Sequence, residues 1–194
     1  MNYGKFIKKF IIESGVSLIE LVVAVTIFSV LILSATGIFK MVVDGQRNAV
    51  SAQNVQENMR YALEKISKEI RMAGISDNQC LPAAVNKVFN TVIDNNGNDQ
   101  LYFKNQYGYC VVYYLDGARL RSTAGTVNGV ISDFITPSKL EVRNLKFFVA
   151  DDKIGAFHSQ QPYVTIVMAV KAIGLAINEQ KMKIQITVSS RYYE

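Results

Sequence analysis

An uncharged run of nineteen residues, Leu21 to Phe39, constrains this chain more than any other feature. As a helix rising about 1.5 Å per residue, the run would span roughly 28 Å, close to the hydrocarbon thickness of a bilayer. Three lysines precede it, Lys5, Lys8 and Lys9, and an excess of positive charge beside a span favours the cytoplasm. The sequence therefore predicts a single crossing of the inner membrane, with the N-terminus cytoplasmic and most of the chain outside.

A carboxylate, Glu20, stands at the start of this run. An acid within a spanning helix costs up to about 3 kcal/mol on insertion scales and is usually retained for a partner. A secretory signal peptide has a shorter apolar core without an acid, and a simple uncleaved anchor has no use for one. Glu20 therefore favours a segment that assembles with another polypeptide.

The order Gly15, Val16 and then Glu20, with apolar residues around them, resembles the prepilin leader motif of type IV pilins and type II secretion pseudopilins. The resemblance implies that prepilin peptidase cleaves between Gly15 and Val16 and methylates the new N-terminus at Val16. It also implies that Glu20 pairs with the N-terminal amine of a neighbouring subunit during assembly. Phenylalanine or methionine is commoner in the family at the position of Val16.

The partners that the resemblance implies are other pilin or pseudopilin subunits, prepilin peptidase and the inner-membrane assembly platform. The lipid bilayer would hold the subunit before assembly. The mature chain would then leave the membrane for a pilus or a periplasmic or extracellular filament. This is a structural role, and no enzymatic activity is expected.

Two further patterns follow the uncharged run. Apolar residues recur at spacings of three and four and form one stripe of a helix: Val55, Met59, Ala62, Leu63, Ile66, Ile70 and Ala73. After Gly74, a possible helix cap, come short runs rich in Val, Ile, Tyr, Phe and Thr, with hairpin turns expected at Asn96-Gly97 and Asp116-Gly117.

These patterns predict an α+β chain with the pilin fold. Its long N-terminal helix would be transmembrane in the first half and packed on an antiparallel β-sheet headpiece in the second. The expected segments are a cleaved cytoplasmic leader, a filament-core helix, an amphipathic helix half and a β-rich headpiece. They cover residues 1–15, 16–40, 41–74 and 75–194.

The helix end at 58–74 and the last two strands, 164–170 and 184–191, resemble W-type minor pilins and J-type pseudopilins. The resemblance implies a minor subunit that helps to initiate a type IV pilus (fimbria) or a type II secretion filament. Pilus, secretion pseudopilus and DNA-uptake filament stay open, as do tip and shaft positions. The alternative from a different class is a single-pass anchored binding or sensor domain that does not polymerise.

The sequence offers few residues in patterns typical of a catalytic site. His158 is the only histidine, in a stretch that reads as a surface loop, and no Gly-x-Ser-x-Gly element accompanies it. No cofactor and no metal are expected. Asp94, Asn96, Asn98 and Asp99 offer alternating oxygen ligands for calcium, but a hairpin turn accounts for all of these residues and is the preferred interpretation.

Two smaller features remain. Cys80 and Cys110 lie beyond the span, where an oxidising compartment favours a disulfide, with two buried thiols as the alternative. Arg119 and Arg121 share a strand face, the only hint of a DNA-binding patch. Solvated strand-face charge explains them better, and the net charge of +5 is too small to imply nucleic acid, so no DNA partner is expected.

Overall fold

A computed structural model describes residues 15–76, 80, 86–95, 97–126, 129–151, 153–154, 157–158, 160–173 and 180–191. Within these residues, one long helix, α1 (Leu18–Arg71), is followed by ten strands. Their bounds are β1 Phe89–Ile93, β2 Asp99–Lys104, β3 Cys110–Asp116, β4 Arg119–Thr126, β5 Gly129–Phe134, β6 Leu140–Ala150, β7 Lys153–Ile154, β8 Phe157–His158, β9 Tyr163–Ala172 and β10 Lys181–Ser189. One apolar N-terminal helix with antiparallel sheets confirms the predicted α+β class.

The chain divides into two compact units, Met1–Gly45 and Gln46–Glu194. In the first unit the described residues are the start of α1, and from Gly15 to Val42 every one is exposed. The described residues of this unit therefore form no core of their own, as expected for a single helix.

The second unit contains the rest of α1 and all the strands. Five strands form a sheet in the order β1-β2-β3-β4-β5, three form a sheet in the order β10-β9-β6, and β7 pairs with β8. All of these pairings are antiparallel. The first sheet is a simple meander, because each strand pairs with its neighbour in the sequence.

The apolar stripe of α1 forms part of one core with both larger sheets. The helix contributes Val55, Met59, Ala62, Ile66 and Ile70, all at most 1% exposed. Strand residues complete the cluster, among them Phe103, Tyr113, Val164, Ile166, Met168 and Val188. Apolar residues recur about every 3.6 positions on the helix and every second position on the strands. The apolar faces of helix and strands therefore pack against each other.

The helix ends two residues before the predicted end at Ala73. The amide of Gly74 donates to the carbonyl of Lys104 at 2.9 Å, so the chain leaves the helix by joining the end of β2. Gly74 does not provide the left-handed cap that glycine forms at many helix ends, because its φ is not positive and the helix already ends at Arg71. The hydroxyl of Ser190 donates to the carbonyl of Ala73 at 3.0 Å, which satisfies another group at this helix end.

Candidate assembly segment at the N-terminus

The predicted cleavage site lies just before the helix. Gly15, Val16 and Ser17 precede α1, and the side chain of Val16 is 70% exposed. The first helical hydrogen bond runs from the amide of Leu21 to the carbonyl of Ser17 at 3.2 Å. The peptide bond between Gly15 and Val16 therefore lies outside helical hydrogen bonding and is accessible.

Glu20 lies exposed in the first turn of α1. A carboxylate is favourable there because it faces the positive end of the helix dipole. Ser17 and Glu20 also have the spacing of a capping box, in which the two side chains bond to free amides at the helix start. The Ser-x-x-Glu spacing, which the sequence analysis did not use, is thus a second reason for an acid at this position. Glu20 thus has two explanations, a helix cap and an intersubunit ion pair.

The apolar span that follows meets the requirements of a lipid environment. None of its most hydropathic window is buried within the protein. Its hydroxyl groups donate to helix carbonyls one turn earlier: Thr26 to Val23 at 2.8 Å, Ser29 to Val25 at 2.7 Å, Ser34 to Val30 at 2.9 Å and Thr36 to Ile32 at 2.7 Å. An unpaired polar group is costly in hydrocarbon, so these bonds allow the hydroxyl groups to lie within a membrane span. The helix is compatible with a single-pass membrane anchor.

Cys80 and Cys110 are joined by a disulfide in the structure, with their Cα atoms 5.3 Å apart. The bond joins two positions with a sequence separation of 30 and ties the chain after α1 to the start of β3. Cys80 is 1% exposed, so the bridge is covered from solvent on that side.

Of the four residues of the calcium hypothesis, the structure describes Asp94, Asn98 and Asp99, and both aspartates have partners within the protein. The Asp94 carboxylate accepts from the amide of Asn98 at 2.8 Å within the β1–β2 turn. Asp99 accepts from Lys146 at 2.9 Å and from the amide of Phe147 at 3.1 Å instead. Asn96 lies outside the described residues. Within the described ranges, no group of three or more His, Cys, Asp and Glu side chains is placed to hold a metal ion.

The arginines of the DNA hypothesis have partners inside the protein. Both guanidinium groups lie over the ring of Phe134, Arg119 at 3.7 Å and Arg121 at 4.8 Å from its centroid. Arg119 also donates to the carbonyl of Thr136 at 2.8 Å, and Arg121 to Asp116 at 2.6 Å. These contacts give the pair a role in holding β4 and β5.

His158 belongs to the short strand β8, paired with Lys153, so the loop expected there is wrong. No known protein family, characterised protein or solved structure matches this chain. The case for a function therefore depends on the residues described above.

Proposed function

We propose that this chain is the precursor of a minor pilin or pseudopilin, cleaved between Gly15 and Val16 by prepilin peptidase and methylated at Val16. The mature helix would then enter a type IV pilus or type II secretion filament. In that filament, Glu20 would pair with the N-terminal amine of a neighbouring subunit.

One observation carries the proposal most directly. Helix α1 begins two residues after an accessible Gly15–Val16 bond, has an acid in its first turn, and is exposed and largely apolar from its start to Val42. A helix of this kind needs either lipid or other apolar helices around it. In a filament core of low dielectric, a carboxylate and an amine stabilise each other, whereas each alone is penalised. The pair would then set the axial register between subunits.

Cleavage is tested by expressing the full chain with and without prepilin peptidase and measuring the N-terminal mass. We expect loss of residues 1–15 plus one methyl group only when the peptidase is present. Gly15→Leu should block processing, whereas the same change at the upstream glycine, Gly4→Leu, should leave it intact. A wild-type chain that stays uncut with an active peptidase would refute the proposal.

The role of Glu20 is tested by comparing Glu20→Gln with Glu20→Val. Glutamine keeps a capping-box partner but not the charge, while valine removes both. If the ion pair operates, both variants are cleaved and both lose at least about tenfold in recovery from sheared filaments, because a buried charge without its partner is strongly destabilising. Wild-type recovery of Glu20→Gln would instead assign Glu20 to the helix cap.

An anchored binding domain that does not polymerise is the second candidate. The observation that favours it is a groove beside an open sheet edge in the second unit, described below. In that case the bond between Gly15 and Val16 is not cleaved. Crosslinking in membranes then detects no series of multimers of the chain.

A further inference from the structure

Among the described residues, strand β10 pairs only with β9 and so forms an open edge of the three-stranded sheet. Hydrogen bonds at both ends fix the direction of its backbone groups. The amide of Ala172 donates to Gln180 at 2.9 Å, and the amide of Ser190 donates to Pro162 at 2.8 Å. Antiparallel ladders alternate, so even-numbered residues of β10 bond to β9. The amides and carbonyls of Lys183, Gln185 and Thr187 therefore point to the open edge.

The side chains of β10 divide by the same parity. Lys183, Gln185 and Thr187 are exposed on the outer face, whereas Met182, Ile184 and Ile186 are half-buried on the inner face. These inner residues form one wall of a groove of about 750 Å³. Helix α1 forms the other wall, with Met59 and Leu63 among its lining residues. The volume lies within the range of about 300–1,000 Å³ typical of ligand sites.

Positive charge collects at one end of this groove. The amide of Arg191 donates to the carbonyl of Arg71 at 2.8 Å, so the end of β10 meets the end of α1. Lys68 lies one turn earlier on the helix, and all three side chains are exposed and line the groove. Among the described lining residues the only acid is Glu64, which Arg60 already binds at 2.8 Å.

We propose that the groove between α1 and β10 binds an extended, acidic polypeptide segment of a partner protein as an added strand. The backbone of the segment pairs with Lys183, Gln185 and Thr187. Alternate apolar side chains enter between Ile184, Ile186 and the helix, and carboxylates at one end meet Lys68, Arg71 and Arg191. Strand addition beside a helix uses main-chain bonds for affinity and side-chain pockets for specificity. This inference does not depend on whether the chain polymerises.

Charge complementarity favours this occupant over others. A second copy offering its own β10 would bring Lys181 and Lys183 and no acid, so the three groove cations would find no partner. Nucleic acid and lipid headgroups suit the cations but not an apolar wall built from methionine, leucine and isoleucine. Lysine on an edge strand discourages indiscriminate pairing. Strand β10 has lysine only at Lys181 and Lys183, so no lysine discourages pairing along the stretch from Ile184 to Ser189.

The test measures binding to the full chain in non-ionic detergent by fluorescence anisotropy. The probe is a short labelled peptide that alternates valine with threonine and ends in two aspartates. Gln185→Pro removes an outward amide without disturbing the bonds to β9, and proline is tolerated at such edge positions. Gln185→Thr is the matched control that keeps the amide. We expect Gln185→Pro to weaken binding about tenfold or more, and Gln185→Thr to stay within about twofold.

The contribution of the groove cations is tested separately from that of the main-chain hydrogen bonds. Lys68→Glu with Arg71→Glu should weaken the aspartate peptide at least about tenfold and favour a lysine-ended peptide. If Gln185→Pro does not fold, a probe N-methylated at alternate residues replaces it and should lose binding to the wild-type chain. The proposal is overturned if the peptide does not bind, if N-methylation or Gln185→Pro has no effect, or if light scattering shows self-association of the chain through this edge.

Discussion

Two buried carboxylates join parts of the headpiece that are far apart in the sequence. Asp151, which follows β6, accepts from the amides of Val88 at 2.6 Å and Phe89 at 3.0 Å at the start of β1. Asp99 on β2 accepts from Lys146 and from the amide of Phe147 on β6. Each carboxylate thus satisfies backbone groups that the junction between the two sheets would otherwise leave without acceptors.

Asp151→Ala should lower the free energy of unfolding by about 2–4 kcal/mol, because two buried amides lose their acceptor at once. Urea denaturation of the full chain in detergent measures the loss. Asp133→Ala, on the exposed strand β5, is the matched control and should change stability by less than about 0.5 kcal/mol. Equal effects of the two substitutions would contradict a bridging role for Asp151.

Tyr113 makes the stability of the headpiece sensitive to alkaline pH. Its hydroxyl donates to Glu69 at 2.8 Å, and its ring stacks on Phe103 at a centroid distance of 5.9 Å. Burial raises the pKa of Tyr113 far above its ordinary value, and the Glu69 carboxylate raises it further. Since the unfolded pKa is about 10, the neutral folded form keeps its full stabilisation below that pH and loses it as pH rises further.

We therefore expect the free energy of unfolding to fall above pH ~10, with a contribution from Tyr113 of up to about 1.4 kcal/mol per pH unit. Tyr113→Phe keeps the ring in the core and should make the alkaline slope shallower. Tyr107→Phe, at an exposed position, should leave the slope as in the wild type. An unchanged slope in Tyr113→Phe would show that other groups govern alkaline unfolding.

At the scale of elements, a bulge in β6 determines how the sheets meet. The register with β9 shifts between Arg143 and Lys146, and Asn144 within the shift has a φ of 53°. Burial changes parity across it, from Val142 before the bulge to Leu145 and Phe147 after it. One extra residue thus turns the second half of β6 so that Lys146 and Phe147 reach Asp99.

The positive φ at Asn144 predicts the order of its variants. Asn144→Gly should be neutral or slightly stabilising, because glycine adopts this conformation without steric penalty. Asn144→Val should destabilise by about 1–3 kcal/mol, because a β-branched residue is strained there. Thermal unfolding of the two variants side by side provides the measurement. A valine variant as stable as the glycine variant would mean that the bulge relocates.

Strands with one buried face could be predicted from the sequence, and others could not. Period 2 is clear in β9, where Val164, Ile166, Met168 and Val170 are buried in alternation. β5 carries no such signal, because Val130 and Ile131 are both exposed and burial does not alternate along the strand. The run rich in Tyr and Val begins at Tyr107, but β3 starts only at Cys110, because the amides of Tyr107 and Tyr109 bond to the Asn105 side chain in a turn.

Turn chemistry was predictable in position but not in type. The β3–β4 hairpin lies where Asp116-Gly117 indicated, with Asp116 paired to Arg119. Gly117 has a φ of 61°, but the φ of its neighbour Ala118 is not positive, which excludes a type I′ turn, the type that an Asp-Gly sequence favours. The Asp-Gly sequence thus predicts where the turn lies, whereas the turn type depends on the backbone conformations of Gly117 and Ala118.

At the scale of the whole molecule, the two candidate surfaces differ in how far the sequence can reveal them. The segment from Gly15 to Glu20 is linear, so the order of residues alone points to it. The groove between α1 and β10 depends on long-range pairing. From the sequence alone, one would predict ordinary core positions for Met182, Ile184 and Ile186. Only the topology shows that β10 is an edge strand beside the helix.

The last prediction concerns the independence of the second unit. Buried helix residues begin at Val55, and none lies between Gly15 and Val50. A chain that starts at Gln46 therefore keeps every described core side chain while losing the apolar span. It should fold without detergent, with a free energy of unfolding within about 1 kcal/mol of the full chain, because none of the described residues before Gln46 is buried.

A chain that starts at Arg60 is the matched comparison, since it also lacks Val55 and Met59, both 1% exposed. Loss of a buried methionine alone costs about 2–5 kcal/mol, so this chain should be less stable by at least that amount. Urea denaturation followed by circular dichroism compares the two truncations in one buffer. If the chain from Gln46 also unfolds or requires detergent, the apolar span contributes to headpiece stability, and the boundary between anchor and headpiece lies before Gln46.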